Sequence, residues 1–217
     1  MSDETPQDDK PRKTRWGKKP SVRMTPETHP EIMELYTSAC EKDNLEPRPI
    51  YMVEADPKKS RAQVNHLLPN ICITKKYLEE SSNGIVFFTL MHERRHLSKE
   101  QNIKMALLTG AYMAPVLAAS IEMLHVIGPG HPSEGYLVDL AAGAVAYVMS
   151  RAVVARNLEE DSDRYAAVTV GPEITREVAD EWEKKKDTGW RLDHPSDKHR
   201  IAVLRSIATE QENKGRG

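Results

Sequence analysis

The chain has 217 residues, with 31 Lys and Arg against 33 Asp and Glu and a formal net charge of −2. That length is enough for one domain with a real core, and the charge balance argues against a dedicated nucleic-acid binder, which carries a basic excess. Two cysteines, Cys40 and Cys72, form no C-x-x-C pair and have no histidine at metal spacing. They suit a reducing compartment and read as small buried hydrophobes.

Residues 1–25 are polar, charged and proline-containing, with a basic stretch from Lys10 to Lys19. They hold no apolar h-region, so they do not read as a secretory signal. A disordered tail is expected there, followed by a domain over residues 26–212. A helix is expected over 28–44, with Ile32, Leu35 and Tyr36 as its apolar stripe and Pro47 and Pro49 barring its continuation. Ile50–Val53 reads as a strand. Residues 56–62 read as a polar turn, and Val64 to Thr74 as a hairpin or two short strands broken by Pro69.

Asn83-Gly84 is a turn and a helix start, and a helix is expected from Ile85 to Lys99. Two long apolar runs follow, residues 105–128 and 137–155, separated by the turn residues Gly128-Pro129-Gly130-His131-Pro132. A charged helix continues from Arg156 to Ala167, a surface helix is expected over 173–186, and Pro195 opens a last one with Ile201, Leu204 and Ile207 on its apolar side. The fold class is therefore α+β, mainly α, with a small sheet beside the Ile85–Lys99 helix.

That helix carries His92-Glu93-Arg94-Arg95-His96, an H-E-x-x-H pattern. Positions i and i+4 of a helix lie on one face about 6 Å apart, so two imidazoles can reach one zinc ion, with Glu93 beside it as acceptor of a proton from water. A surface helix with two histidines matches the same five residues, so the motif needs a third ligand. Glu159 is the candidate, 63 residues after His96. Asp163 shares its helix face, so one carboxylate can bind the metal while the other orients a ligand histidine. Taken alone, Glu159, Glu160, Asp161 and Asp163 would read as a solvated acidic face.

Together these residues give a resemblance that runs from about residue 48 to residue 207. Thr74-Lys75-Lys76-Tyr77-Leu78-Glu79, Phe88-Thr89-Leu90-Met91-His92-Glu93-Arg94-Arg95-His96, Arg156-Asn157-Leu158-Glu159 with Asp163, and His194-Pro195 with Arg200-Ile201 and Leu204 occur in that order. The chain resembles the gluzincin metallopeptidases of the HtpX, CAAX prenyl protease and Oma type. The resemblance implies a zinc-dependent endopeptidase with one zinc per chain, held by His92, His96 and Glu159. It makes Glu93 the general base, Asp163 a partner of a ligand histidine, and His194 a group that helps stabilise the tetrahedral intermediate. A polypeptide substrate bound as an extended strand near residues 64–74 is expected.

Arg94 and Arg95 depart from the family, which has an apolar and a small residue there; they are expected to face solvent or to meet an acidic partner. The family's apolar hairpin between the zinc helix and the third ligand corresponds to residues 105–155. Two forms are open: a membrane-embedded hairpin with a cytoplasmic active site and a role in membrane quality control, or a buried Ala-rich pair in a soluble cytoplasmic protein. Rival functions are a zinc-stabilised interaction module without turnover and a metal-free membrane adaptor.

Overall fold

The computed structural model describes residues 21–54, 62–65, 69–127, 134–185 and 195–216. The basic stretch Lys10–Lys19, most of the turn expected over 56–62, the turn at Gly128–Pro132 and His194 lie outside the described residues. The chain divides into two compact units, Met1–Arg94 and Arg95–Gly217. The fold is α+β and mainly helical, as the residue patterns require.

In the first unit, strands β1 (Ser21–Arg23), β2 (Ile50–Val53), β3 (Ala62–Asn65) and β4 (Asn70–Thr74) form one sheet in the order β1-β2-β4-β3. β1 and β2 are antiparallel, β2 and β4 parallel with Ile50 opposite Ile71, and β3 and β4 antiparallel with Val64 opposite Ile71. β4 is central, and Ile71, Cys72, Ile73 and Thr74 are all buried; a strand covered on both faces has no polar alternation. β1 corrects the expected tail: residues 21–23 pair with β2, because Ser21 to Arg23 can complete the ladder of an otherwise open strand.

Helix α1 (Pro30–Lys42) buries Ile32, Tyr36, Ala39 and Cys40, an i, i+4, i+7, i+8 stripe. It ends before the prolines act. Asn44 takes a left-handed φ of 52°, and the N–H groups of Asn44 and Leu45 donate to the carbonyls of Glu41 and Cys40 at 3.0 and 2.7 Å. This paired closure satisfies the last carbonyls of the helix. Tyr36, fully buried, accepts from the Arg48 N–H at 3.0 Å and so anchors the chain entering β2.

Helix α2 (Lys75–Glu80) is capped by Thr74, whose hydroxyl accepts from the Tyr77 N–H. Helix α3 (Asn83–His96) follows, opened by Ser82 Oγ accepting from the Ile85 N–H. Ile85, Val86, Phe87, Phe88, Leu90 and Met91 are all buried, so α3 is a core helix rather than a surface one. It stops at His96 and not at Lys99, because Ser98 caps the next helix by accepting from the Gln101 N–H at 3.1 Å.

The second unit holds α4 (Lys99–Ile127), α5 (Glu134–Val170), α6 (Pro172–Lys184) and α7 (Asp197–Gly215). α5 packs against α4, α6 and α7, and α6 packs against α7. The second apolar run and the charged segment after it are one helix of 37 residues, since nothing between Leu137 and Ala167 breaks it. Gly171, at φ 87°, ends it, and Pro172 starts α6 at its first turn. Val154, Leu158, Ala166, Ala167, Val178, Ala179, Leu204 and Ala208 supply this unit's core. Among the described residues no helix is long and apolar enough to cross a membrane. The apolar runs expected at 105–128 and 137–155 carry Glu122, Asp139 and Arg151.

Candidate metal centre

His92 and His96 stand one turn apart on α3, with Glu93 between them. His92 is buried, and Glu93 and His96 are half-buried. Glu159 lies on α5 with its Oε1 3.2 Å from His96 Nε2. His92, His96 and Glu159 each offer one ligand atom, and these atoms all lie within 4.8 Å of one another.

The acidic run on α5 is not a solvated face. Each carboxylate has its own partner, because a 3.6-residue turn sends successive side chains in different directions. Glu159 meets His96. Glu160 accepts from Arg164 at 2.9 Å and lies 3.2 Å from His199 Nε2; the Arg164 bond holds its carboxyl below the usual range. Asp161 accepts from Lys104 and Arg95, each at 3.0 Å. Burial pushes the Asp161 carboxyl up, but these two cations outweigh it and leave it lowered. Asp163, almost wholly buried, takes both oxygens to the Arg200 guanidinium at 2.7 Å.

Arg200 comes from α7, lies over the Trp182 ring at 4.3 Å, and reaches to 3.9 Å from Glu159 Oε2. Glu159 therefore has His96 at one oxygen and a guanidinium near the other. A fork held by Asp163 and an indole face restricts where that guanidinium can sit.

The orientation of His96 follows from a residue that the sequence did not single out. Gln101 is buried, and its Nε2 donates to the Leu158 carbonyl at 2.9 Å and to Ser162 Oγ at 2.7 Å. Its Oε1 lies 3.0 Å from His96 Nδ1. An available signal was the Ser98-x-x-Gln101 helix-start pattern, which places Gln101 one turn into α4.

The departures at Arg94 and Arg95 are accommodated differently. Arg95 meets acidic partners: its two Nη atoms bind Glu100 at 2.7 and 3.0 Å, its Nε binds Asp161, and it lies over Tyr165. Arg94 is buried rather than exposed, with its Nε donating to the Glu46 carbonyl at 3.1 Å. The pair thus fixes the end of α3 instead of fraying it.

The donor set fits a small divalent cation. Two imidazoles and a carboxylate are the ligand set of a catalytic zinc site, with bonds of about 2.0–2.2 Å. Tetrahedral geometry at those lengths spaces neighbouring ligand atoms roughly 3.3 Å apart, close to the 3.2 Å between His96 and Glu159.

The family model described as Peptidase family M48 matches residues 26–208. The chain belongs to peptidase family M48. It is thereby a member of a metallopeptidase family, and its possible metal-holding group is His92, His96 and Glu159. No curated protein and no solved structure matches it. Of the site residues expected from sequence, His92, His96 and Glu159 form one group that could hold a metal ion, and Glu93 lies between the two histidines on α3. Asp163 engages Arg200.

Proposed function

We propose that this M48 protein is a zinc-dependent endopeptidase of the HtpX, CAAX prenyl protease and Oma type, with one zinc per chain. The clustering of His92, His96 and Glu159 within a family of metallopeptidases carries the reading. The R-x-x-E-x-x-x-D run from Arg156 to Asp163 supports the finer type. When bound, zinc lowers the pKa of a water and polarises the scissile carbonyl.

The chain's own residues do the rest. Glu93, on the helix that carries both histidines, accepts the proton from the attacking water and delivers it to the leaving amine. Glu159 is held in register by Arg200, itself fixed by Asp163. His194, which precedes α7, is assigned to the developing oxyanion by the resemblance. β3 stands at one edge of the sheet, and an extended polypeptide is expected to add there as a further strand. A role in quality control at a membrane is the finer part of this reading. Its support is that Val145, Val148 and Met149 of α5 are each more than half exposed.

The test is zinc content with casein cleavage in the wild-type chain and in Glu93→Gln. Stoichiometric zinc in both and cleavage only in the wild type is expected. Undiminished cleavage by Glu93→Gln removes Glu93 from the mechanism, and zinc without turnover in the wild type favours the inactive interaction module.

A further inference from the structure

The environment of His96 determines which of its ring nitrogens carries a proton. The Leu158 carbonyl can only accept, so the Gln101 atom 2.9 Å from it is the amide nitrogen. The other end of the side chain, 3.0 Å from His96 Nδ1, is then the amide oxygen. An amide oxygen also only accepts. The hydrogen on this contact therefore belongs to Nδ1, and in the neutral ring that tautomer leaves the lone pair on Nε2.

Nε2 faces Glu159 Oε1 at 3.2 Å. In that tautomer a metal cation can sit between the two acceptors, and His92, one turn earlier on α3, offers it a further ligand atom. We infer that Gln101 is the positioning residue that makes His96 a ligand, by holding it as the Nδ1–H tautomer with Nε2 turned to the metal; the inference rests on the metal-centre reading.

Three features make this a constructed arrangement. Gln101 is 2% exposed, so no water competes for its oxygen. Its amide is locked by two donated bonds into α5, the helix that carries Glu159. Its backbone is fixed as well, since its N–H closes the Ser98 cap directly after His96. Gln101 thus ties the second histidine to the carboxylate helix. Partners of this kind raise ligand basicity, and their loss costs metal affinity. Unlike a carboxylate in the same place, the amide orients the ring without adding negative charge to the site.

The experiment uses the full chain. Metal-free protein with 15N-labelled histidine is read by NMR correlation of ring nitrogens with ring protons, His96 being assigned by its loss in His96→Asn. The wild type is expected to show His96 with its proton on Nδ1; a proton on Nε2 overturns the inference without any variant. Gln101→Leu removes the acceptor at similar size. It is expected to lose that tautomer preference and to weaken zinc binding roughly 10–100-fold, measured by competition with a chromogenic chelator. A merely structural role would lower zinc affinity in Gln101→Leu while leaving the His96 proton on Nδ1, a result that also overturns the inference. Wild-type zinc affinity and tautomer in Gln101→Leu overturn the inference. A wild-type chain that binds no zinc sinks the metal-centre reading instead, and the tautomer then still reports on Gln101.

Discussion

Arg200 grips Asp163 through two hydrogen bonds of 2.7 Å, across 37 residues of sequence and two helices. Burial works against the charge on the guanidinium, but the Asp163 carboxylate outweighs it and raises the pKa further. The pair lies beside Glu159, whose Oε2 is 3.9 Å from the same guanidinium.

Removing one member of a buried ion pair leaves the other uncompensated, which costs about 3–5 kcal/mol. Arg200→Ala is therefore expected to lower stability by that order, read as a fall in the urea midpoint. Its zinc affinity is expected to fall less than that of Glu159→Ala, because Arg200 orients the ligand without supplying one. A variant with an unchanged midpoint would show the fork to be dispensable.

Glu93→Gln keeps the size of the side chain and removes its basicity. Loss of a general acid–base group costs typically 10²–10⁴-fold, so casein cleavage is expected to fall by about that factor. Zinc measured by atomic absorption is expected to stay at one per chain. Loss of the zinc along with the activity would place Glu93 among the ligands.

Zinc that binds only the folded chain stabilises it by about 2.7 kcal/mol at a hundredfold excess over Kd. The wild-type melting temperature is expected to rise with zinc and to fall on chelation. Glu159→Ala removes the carboxylate that faces His96 and is expected to abolish both responses. A zinc-dependent shift of the usual size in Glu159→Ala would exclude it as third ligand.

Asp161 predicts a pH dependence. Its carboxyl is lowered by Lys104 and Arg95 despite burial, so at acid pH the unfolded chain binds more protons than the folded one, and stability rises with pH there. Its contribution is present above the ordinary aspartate value of about 3.9 and is lost as pH falls through the lower folded value. Urea unfolding across the acid range is expected to show a shallower slope in Asp161→Asn than in the wild type. An identical slope would show that other carboxylates carry the dependence.

Much of this fold is legible as local pattern. The run Ile50–Val53 is the strand β2, and the stripe through Ile32 and Tyr36 is the face that α1 buries. The end of α3 is less legible. Helix periodicity alone lets it run to Lys99, while the hydroxyl of Ser98 prefers to cap α4. β1 was unreadable for a related reason. Three residues without an apolar face become a strand only when β2 offers its hydrogen-bonding edge.

The sequence by itself determined that His92 and His96 share one helix face and that Glu93 stands between them, because helical spacing is a property of neighbouring residues. Only the tertiary structure decided that Glu159, of the four acidic side chains between 159 and 163, faces His96, that Asp163 goes to Arg200, and that Gln101 holds the imidazole. Those choices join residues far apart in the chain, and they follow from how α5 packs against α4 and α7 rather than from any local preference.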